Sequence, residues 1–125
     1  MRIICIGNRF YYPDNFGMLI YDQLKKMKLN YEIIEGGIGG LNLIPYFEDD
    51  EKILIVDYSK NINKKILTKK DIERIELNEY NHATAFLYLL KSIEKDYYVY
   101  LGNGDFNPSN LDPFIKEILE LAEKI

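Results

Sequence analysis

The chain has 125 residues, of which 47% are hydrophobic and 29% are charged. This length suits one compact domain, spanning residues 1–125, and is too short for two. The formal net charge of -4 gives no indication of a general affinity for nucleic acid or anionic lipid. No apolar run reaches the roughly 20 residues of a membrane span, and the N-terminus resembles a strand rather than a signal peptide. These properties predict a cytoplasmic protein.

The first part of the chain alternates predicted strands with a predicted helix. Residues 2–6 are an apolar run typical of a buried strand, and they contain Cys5, the only cysteine. A single cysteine excludes an internal disulfide and a zinc site built from several cysteines. Residues 15–27 place apolar side chains at helical spacing. Residues 31–35 form a second predicted strand, closed by the segment GGIGG at residues 36–40.

The middle of the chain contains both the clearest strand and the most ambiguous segment. Residues 41–47 predict a short helix, and residues 52–58, KILIVDY, predict a buried strand. The polar segment that follows favours two short edge strands, at residues 64–68 and 74–78. A turn or helical piece, residues 69–73, is predicted between them.

The last part of the chain again alternates. Residues 82–94 predict a helix with one apolar face, residues 97–101 a strand, and residues 112–124 a closing helix. Asp112 is predicted to cap the closing helix, with Pro113 as its first residue.

This order of elements predicts an α/β fold. We expect a three-layer α/β/α architecture, with a mostly parallel central sheet covered on both faces. In such sheets the ligand site lies beyond the carboxyl ends of the strands. Candidate functional residues should therefore follow the strands.

Three side chains that can bind a metal ion are expected at that edge. Asp14 lies in the loop after the first strand, Asp57 ends the third strand, and His82 opens the third predicted helix. Two carboxylates and an imidazole suit a divalent ion of borderline softness, such as nickel or zinc. Three ligands also leave coordination positions open for a substrate.

Each of these residues has a purely structural alternative. An aspartate at the end of a buried strand often caps the following turn. Asp14 is also placed to cap the helix that follows it, and a lone histidine at a helix start is often a cap or a surface residue. The proposed metal site therefore depends on the topology that would bring Asp14, Asp57 and His82 together.

Two further features fall at the same edge. Residues 36–40 form either a backbone surface that a ligand approaches closely or a flexible turn, and they do not match the dinucleotide motif G-x-G-x-x-G. Tyr11 and Tyr12 lie in the first loop. They are predicted to be rim residues of a protein-binding surface, because tyrosine is enriched there.

Five stretches of the sequence, in order, resemble the hydrogenase maturation proteases. Those are the endopeptidases that trim the C-terminal extension of the large subunit of nickel-iron hydrogenases. The stretches are IICIGNRFYYPDNFG, EGGIGGLNLIPYF, LIVDY, HATAFLYLL and VYLGNGDFNPSNLDPFIKEILELAEKI. The resemblance covers nearly the whole chain, and it implies a phosphorylase/hydrolase-like α/β fold and a monomer.

The resemblance also implies roles for particular residues. Asp14, Asp57 and His82 match the three residues with which the family contacts nickel, and the two aspartates are the candidate catalytic residues. Gly36 and Gly37 match a Gly-Gly turn implied to lie close to the substrate. The nickel is implied to arrive with the partner protein, the large-subunit precursor, already held by the cysteines of that precursor.

Two departures from the family pattern keep alternatives open. Pro13 stands where the family usually has the first of two adjacent acids, and the segment after Asp57 is short and lysine-rich. These departures favour, as an alternative, a non-proteolytic relative that binds the nickel-loaded precursor. A second alternative is a small α/β module that binds an anion at residues 36–40.

Overall fold

The computed structural model describes residues 1–76 and 84–125, with side chains in the second range from Phe86 onward. Within these residues five strands form a central sheet and helices cover both of its faces, which confirms the predicted three-layer α/β/α fold. The strands are β1 (Arg2–Ile6), β2 (Glu32–Gly37), β3 (Ile53–Tyr58), β4 (Ile66–Thr68) and β5 (Tyr98–Gly102). The helices are α1 (Phe16–Lys26), α2 (Lys69–Arg74), α3 (Thr84–Ser92) and α4 (Asp112–Lys124), with a 3₁₀ helix at Leu41–Phe47.

The sheet is mostly parallel, with the strand order β2-β1-β3-β5-β4. Only the pairing of β4 with β5 is antiparallel among the described strands. Cys5 of β1 lies opposite Val56 of β3, and Asp57 of β3 lies opposite Leu101 of β5. The carboxyl ends of β1, β3 and β5 therefore meet at one edge of the sheet.

Two hydrophobic cores lie on the two faces of the sheet, because successive side chains of a strand point to opposite faces. Ile53 and Ile55 pack with residues of α2, α3 and the 3₁₀ helix. Leu54 and Val56 pack with residues of α1 and α4. This alternation places Asp57 on the face that α3 covers.

The sequence analysis predicted that the glycine pair at residues 36 and 37 closes β2, and this is wrong. Both glycines lie inside the strand. β2 extends from Glu32 to Gly37, and its pairing with β1 shifts register between Cys5 and Ile6. Gly36 is buried against β1, where an added Cβ would lie 2.4 Å from the side chain of Ile6. The two strands can pack this closely because glycine has no Cβ.

The predicted edge strand at residues 74–78 is wrong over its described part. Arg74 ends α2, and the two residues after it belong to no strand, while residues 77 and 78 lie outside the described ranges. A capping box explains the difference, because Thr68 and Asp71 exchange side-chain and backbone hydrogen bonds and start a helix directly after β4.

The prediction for the start of α4 is wrong by one residue. Asp112 is the first residue of the helix rather than its cap, and Leu111 occupies the cap position. The Leu111 carbonyl oxygen accepts hydrogen bonds from the amides of Phe114 and Ile115, each at 3.0 Å. The helical hydrogen-bond pattern therefore begins before Asp112.

No helix in the described part of the chain is both long enough and apolar enough to cross a membrane.

Candidate functional site

The loop between β1 and α1 carries Asp14 and folds back on itself. The amide of Asn8 donates to the Asp14 carbonyl oxygen at 3.1 Å, and the amide of Asn15 donates to the Tyr11 carbonyl oxygen at 2.8 Å. A Cβ at Gly7 would lie 2.4 Å from the Asp14 carbonyl oxygen, so only glycine fits there. The backbone of Asp14 therefore lies directly against the end of β1.

Asp14 does not cap α1, so that structural alternative is wrong. Asn15 holds the cap position, although its side chain makes no capping hydrogen bond. Asp14 precedes the cap and is half-buried in the turn. Its place in the fold is that of a loop residue at the carboxyl edge of the sheet.

Asp57 is a carboxylate at the end of a completely buried strand. The residue has no solvent exposure. Its Oδ1 accepts a hydrogen bond from the amide of Tyr58 at 2.8 Å, which is the local capping role expected of such an aspartate. Because this strand end lies at the carboxyl edge of a mostly parallel sheet, the buried aspartate is a candidate functional group.

Asp14 and Asp57 lie at the same edge of the sheet. Since Cys5 pairs with Val56, Asp57 is level with the last residue of β1, just before the loop that holds Asp14. Burial raises the pKa of the Tyr58 hydroxyl, and nearby Tyr12, Asp105 and Asp14 raise it further. The negative charge of Asp14 is therefore close enough to act on the residue next to Asp57.

His82 lies outside the described residues, and so does the start of its predicted helix. α3 begins at Thr84 and covers the face toward which Asp57 projects. Across residues 1–76 and 84–125, no group of three or more His, Cys, Asp or Glu side chains is arranged to hold a metal ion. The set of Asp14, Asp57 and His82 stays a prediction.

The two glycines of the predicted substrate turn have different surroundings. Gly36 is buried against β1, whereas Gly37 has a φ of 56° and no heavy atom within 4 Å of an added Cβ. The Gly37 carbonyl oxygen accepts a hydrogen bond from the amide of Gly7 at 2.8 Å. Gly37 therefore joins the end of β2 to the loop of Asp14 and leaves open space above its own backbone.

Exposed apolar side chains surround this edge. Phe10 and Tyr11 follow β1 and are 88% and 65% exposed, while Ile38 and Leu41 follow β2 and are 74% and 76% exposed. We call these four residues, together with Tyr12, the apolar rim. Contiguous exposed apolar patches often mark protein-binding surfaces, and the interpretation of Tyr11 and Tyr12 as rim residues stays a prediction.

Sequence reasoning missed two residues beside the site. Ser59 is completely buried two residues after Asp57, and its only signal is that a hydroxyl follows a buried aspartate. Phe106, in the loop after β5, packs its ring against Tyr12 at 5.0 Å between centroids and so ties two loops of this edge together. No local pattern predicts that contact.

Cys5 is not a candidate nucleophile. The thiol is buried inside β1, and burial raises its pKa far above the usual range. The reactive form of cysteine is the thiolate, which this environment disfavours.

The sequence matches the family model for the hydrogenase maturation proteases over residues 18–120. The chain belongs to the hydrogenase maturation protease family. The matched range contains Asp57 and His82 and begins after Asp14. Comparison with curated protein sequences gives no match.

Solved structures of hydrogenase maturation proteases share the fold. The maturating endopeptidase HybD of E. coli superposes with a TM-score of 0.75 at 14% identity, covering 98% of this chain and 91% of that one. The protease HybD of Thermococcus kodakarensis gives a TM-score of 0.62 at 16% identity, with coverages of 98% and 96%. A hydrogenase 2 maturation peptidase of a Thaumarchaeota archaeon gives 0.61 at 19% identity, with coverages of 98% and 97%.

Proposed function

We propose that this protein is the endopeptidase that removes the C-terminal extension of a nickel-loaded [NiFe]-hydrogenase large-subunit precursor. The observation that carries the proposal is the buried carboxylate of Asp57, which lies at the carboxyl edge of a fold shared by hydrogenase maturation proteases. The apolar rim at the same edge supports a protein substrate.

In this proposal the nickel belongs to the substrate, and Asp14, Asp57 and His82 contact it. The donor set suits nickel, because carboxylate oxygen and imidazole nitrogen both bind divalent ions of borderline softness. The metal, when present, supplies a Lewis acid beside the scissile peptide bond. Asp14 and Asp57 orient the precursor on the metal, and one of them holds the proton that leaves the attacking water.

The partner of the protein is the precursor, and nickel is the only cofactor in the proposal. We expect the protein to act as a monomer in the cytoplasm, with neither nucleic acid nor membrane as a partner. Sedimentation at a mass near 14.8 kDa would agree with the monomer, and a stable dimer would contradict it.

The second candidate function is a relative that binds the nickel-loaded precursor without cutting it. Pro13 favours this candidate, because it stands beside Asp14 where the family usually has a further acid. Nickel-dependent binding of an uncut precursor would select it over the protease.

An anion-binding module is favoured less. The amide of Gly39 already donates to the Gly36 carbonyl oxygen at 3.1 Å, and an added Cβ on Gly39 would lie 2.5 Å from the ring of Phe86. Gly39 is therefore packed, and its amide already has a hydrogen-bond acceptor within the segment.

The experiment that tests the proposal compares Asp14→Asn and Asp57→Asn with the wild type in a precursor cleavage assay. Each change keeps the size of the side chain and removes its charge. We expect kcat/KM to fall by at least about 100-fold, which is the typical contribution of a catalytic acid or base. Cleavage is followed by intact-mass spectrometry.

The matched control is Asp105→Asn, which removes a charge from an exposed loop at the same edge. Its activity should equal that of the wild type. Full activity of Asp57→Asn in a protein with an unchanged thermal midpoint would contradict the assigned role, as would an equal loss in the control.

A further inference from the structure

The outer edge of β2 is unusually open to pairing with another chain. β2 has six residues, whereas β4 at the opposite edge has three and directly follows Lys64 and Lys65. Proteins protect strand edges by keeping them short or by adding lysine or proline. The β2 sequence, EIIEGG, contains neither of those residues, and no other described strand pairs with this edge.

Backbone groups of β2 face outward at alternate positions. The amide of Glu32 donates to the Met1 carbonyl oxygen at 3.0 Å, so Glu32 and Ile34 face β1. Because bonded residues alternate along a parallel strand, the backbone groups of Ile33 and Glu35 face away from β1. These groups are the donors and acceptors that an added strand uses.

A groove of about 460 Å³ runs along this edge. Leu24 and Met27 line it on the face of α1, Tyr46 of the 3₁₀ helix lines it on the other face, and β2 itself forms its floor. A backbone floor flanked by the side chains of Met27 and Tyr46 fits an extended peptide, because main-chain bonds hold the peptide and the flanking residues contact its side chains.

The acidic side chains of β2 are held back toward β1. Nε of Arg2 donates to Glu32 at 2.7 Å, and Nη2 of Arg9 donates to Glu35 at 3.4 Å. Lys25 is the cation among the described residues that line the groove. It lies near the end of α1, toward the amino ends of the strands, where it complements the carboxylate of a chain terminus.

The other end of the groove meets the candidate site. β2 ends at Gly37, whose carbonyl oxygen accepts the hydrogen bond from Gly7, and Gly7 lies against the backbone of Asp14. A peptide bound along β2 therefore has one end beside the loop that holds Asp14.

We propose that the edge of β2 binds the C-terminal extension of the precursor as an added antiparallel strand. This inference rests on the proposed function. The folded part of the precursor then contacts the apolar rim, and the extension runs from the site toward Lys25. At about 3.3 Å per residue, six residues of extension span the length of β2.

The test is the kinetics of Ile33→Pro on the nickel-loaded precursor. Proline removes the outward amide of Ile33 and leaves the hydrogen bonds to β1 in place. We expect KM to rise by about tenfold and kcat to stay within about twofold, as for the loss of a binding contact that is the same in the ground and transition states. Ile33→Ala keeps the amide, so its smaller effect measures the side chain alone.

The matched control is Ile66→Pro on the opposite edge. The amide of Leu101 donates to the Lys65 carbonyl oxygen, so the neighbouring Ile66 faces outward from β4, as Ile33 does from β2. This variant should keep the wild-type KM. Equal KM values for Ile33→Pro and Ile33→Ala would overturn the β2 proposal while wild-type cleavage still upheld the protease. A wild type that neither cuts nor binds the precursor would overturn both.

Hydrogen exchange provides a measurement that does not depend on the folding of the proline variant. The wild-type protein is mixed with nickel-loaded precursor, and amide exchange over residues 31–37 is followed by mass spectrometry in pulses shorter than the cleavage time. Exchange should slow by at least about tenfold with the full precursor and remain fast with a precursor lacking its extension. Equal exchange with the two precursors would overturn the proposal.

Discussion

At the scale of a single residue, Asp57 combines a structural hydrogen bond with a proposed functional role. Every residue of β3 is buried, and Asp57 is the acidic residue among them. Asparagine could also accept the hydrogen bond from the amide of Tyr58, so Asp57→Asn separates this local hydrogen bond from the proposed role of the carboxylate.

Gly17 is the residue that lets α1 approach the end of β1. A Cβ at this position would lie 1.9 Å from the Ile6 carbonyl oxygen, a backbone atom that cannot move aside. We expect Gly17→Ala to lower the free energy of unfolding by about 3 kcal/mol, because overpacking outweighs the gain in helix propensity. Urea denaturation measures the loss.

Gly40→Ala is the control for that substitution. An added Cβ there meets only the side-chain oxygen of Asn42, at 3.1 Å, and the backbone φ of -91° suits alanine. Its free energy of unfolding should change by about 1 kcal/mol or less. Similar losses in the two variants would show that the contact of Gly17 with β1 does not determine the packing of α1.

At the scale of elements, one arginine holds the loop of Asp14 against its neighbours. Arg9 donates two hydrogen bonds to Asp22 of α1, at 2.8 and 3.0 Å, and one to Glu35 of β2, at 3.4 Å. The Arg9 guanidinium lowers the pKa of Asp22 below its usual range. The loop is therefore anchored to both flanking elements by charge.

Arg9→Gln should lower the free energy of unfolding by about 1 kcal/mol or less at pH 7, because the ion pairs are partly exposed and screened. The pKa of Asp22 is lower in the folded state, so the pair stabilises the protein above the unfolded pKa of about 3.9. This stability is lost as the pH falls through the folded pKa. The difference between variant and wild type, measured by urea denaturation, should therefore shrink below about pH 4.

A difference that stayed constant from pH 7 to pH 3 would show that Arg9 stabilises the loop through packing rather than charge. Lys64→Gln is the comparison variant for Arg9→Gln, because it removes an exposed ion pair with Asp71 and leaves the loop of Asp14 unchanged. It should leave precursor cleavage unchanged.

At the scale of the whole molecule, the sequence predicted the architecture because its strands are continuous apolar runs. Residues 52–58 and 97–101 could be assigned from composition alone, and β3 and β5 lie within about one residue of those ranges. The order of strands and helices then implied a mostly parallel sheet with Asp14 and Asp57 at the same edge. The strand order β2-β1-β3-β5-β4, which fixes how far apart the strand ends lie, was not predicted from the sequence.

Features that depend on particular side-chain and backbone contacts, rather than on apolar periodicity, could not be predicted. The strand expected at residues 74–78 failed because a capping box overrode weak β propensity. The extension of β2 through its glycines depends on close packing against β1, and the contact of Tyr12 with Phe106 joins loops that are far apart in the chain. Periodicity carries no information about such contacts.

The most direct test of the account is cleavage of the large-subunit precursor from the same source, with and without nickel. Intact-mass spectrometry records the loss of a C-terminal peptide. The account predicts that wild-type protein removes the peptide only from the nickel-loaded precursor. A precursor that another maturation protease cuts, and that this protein neither binds nor cuts in either state, would contradict the proposed function and leave the family fold without that activity.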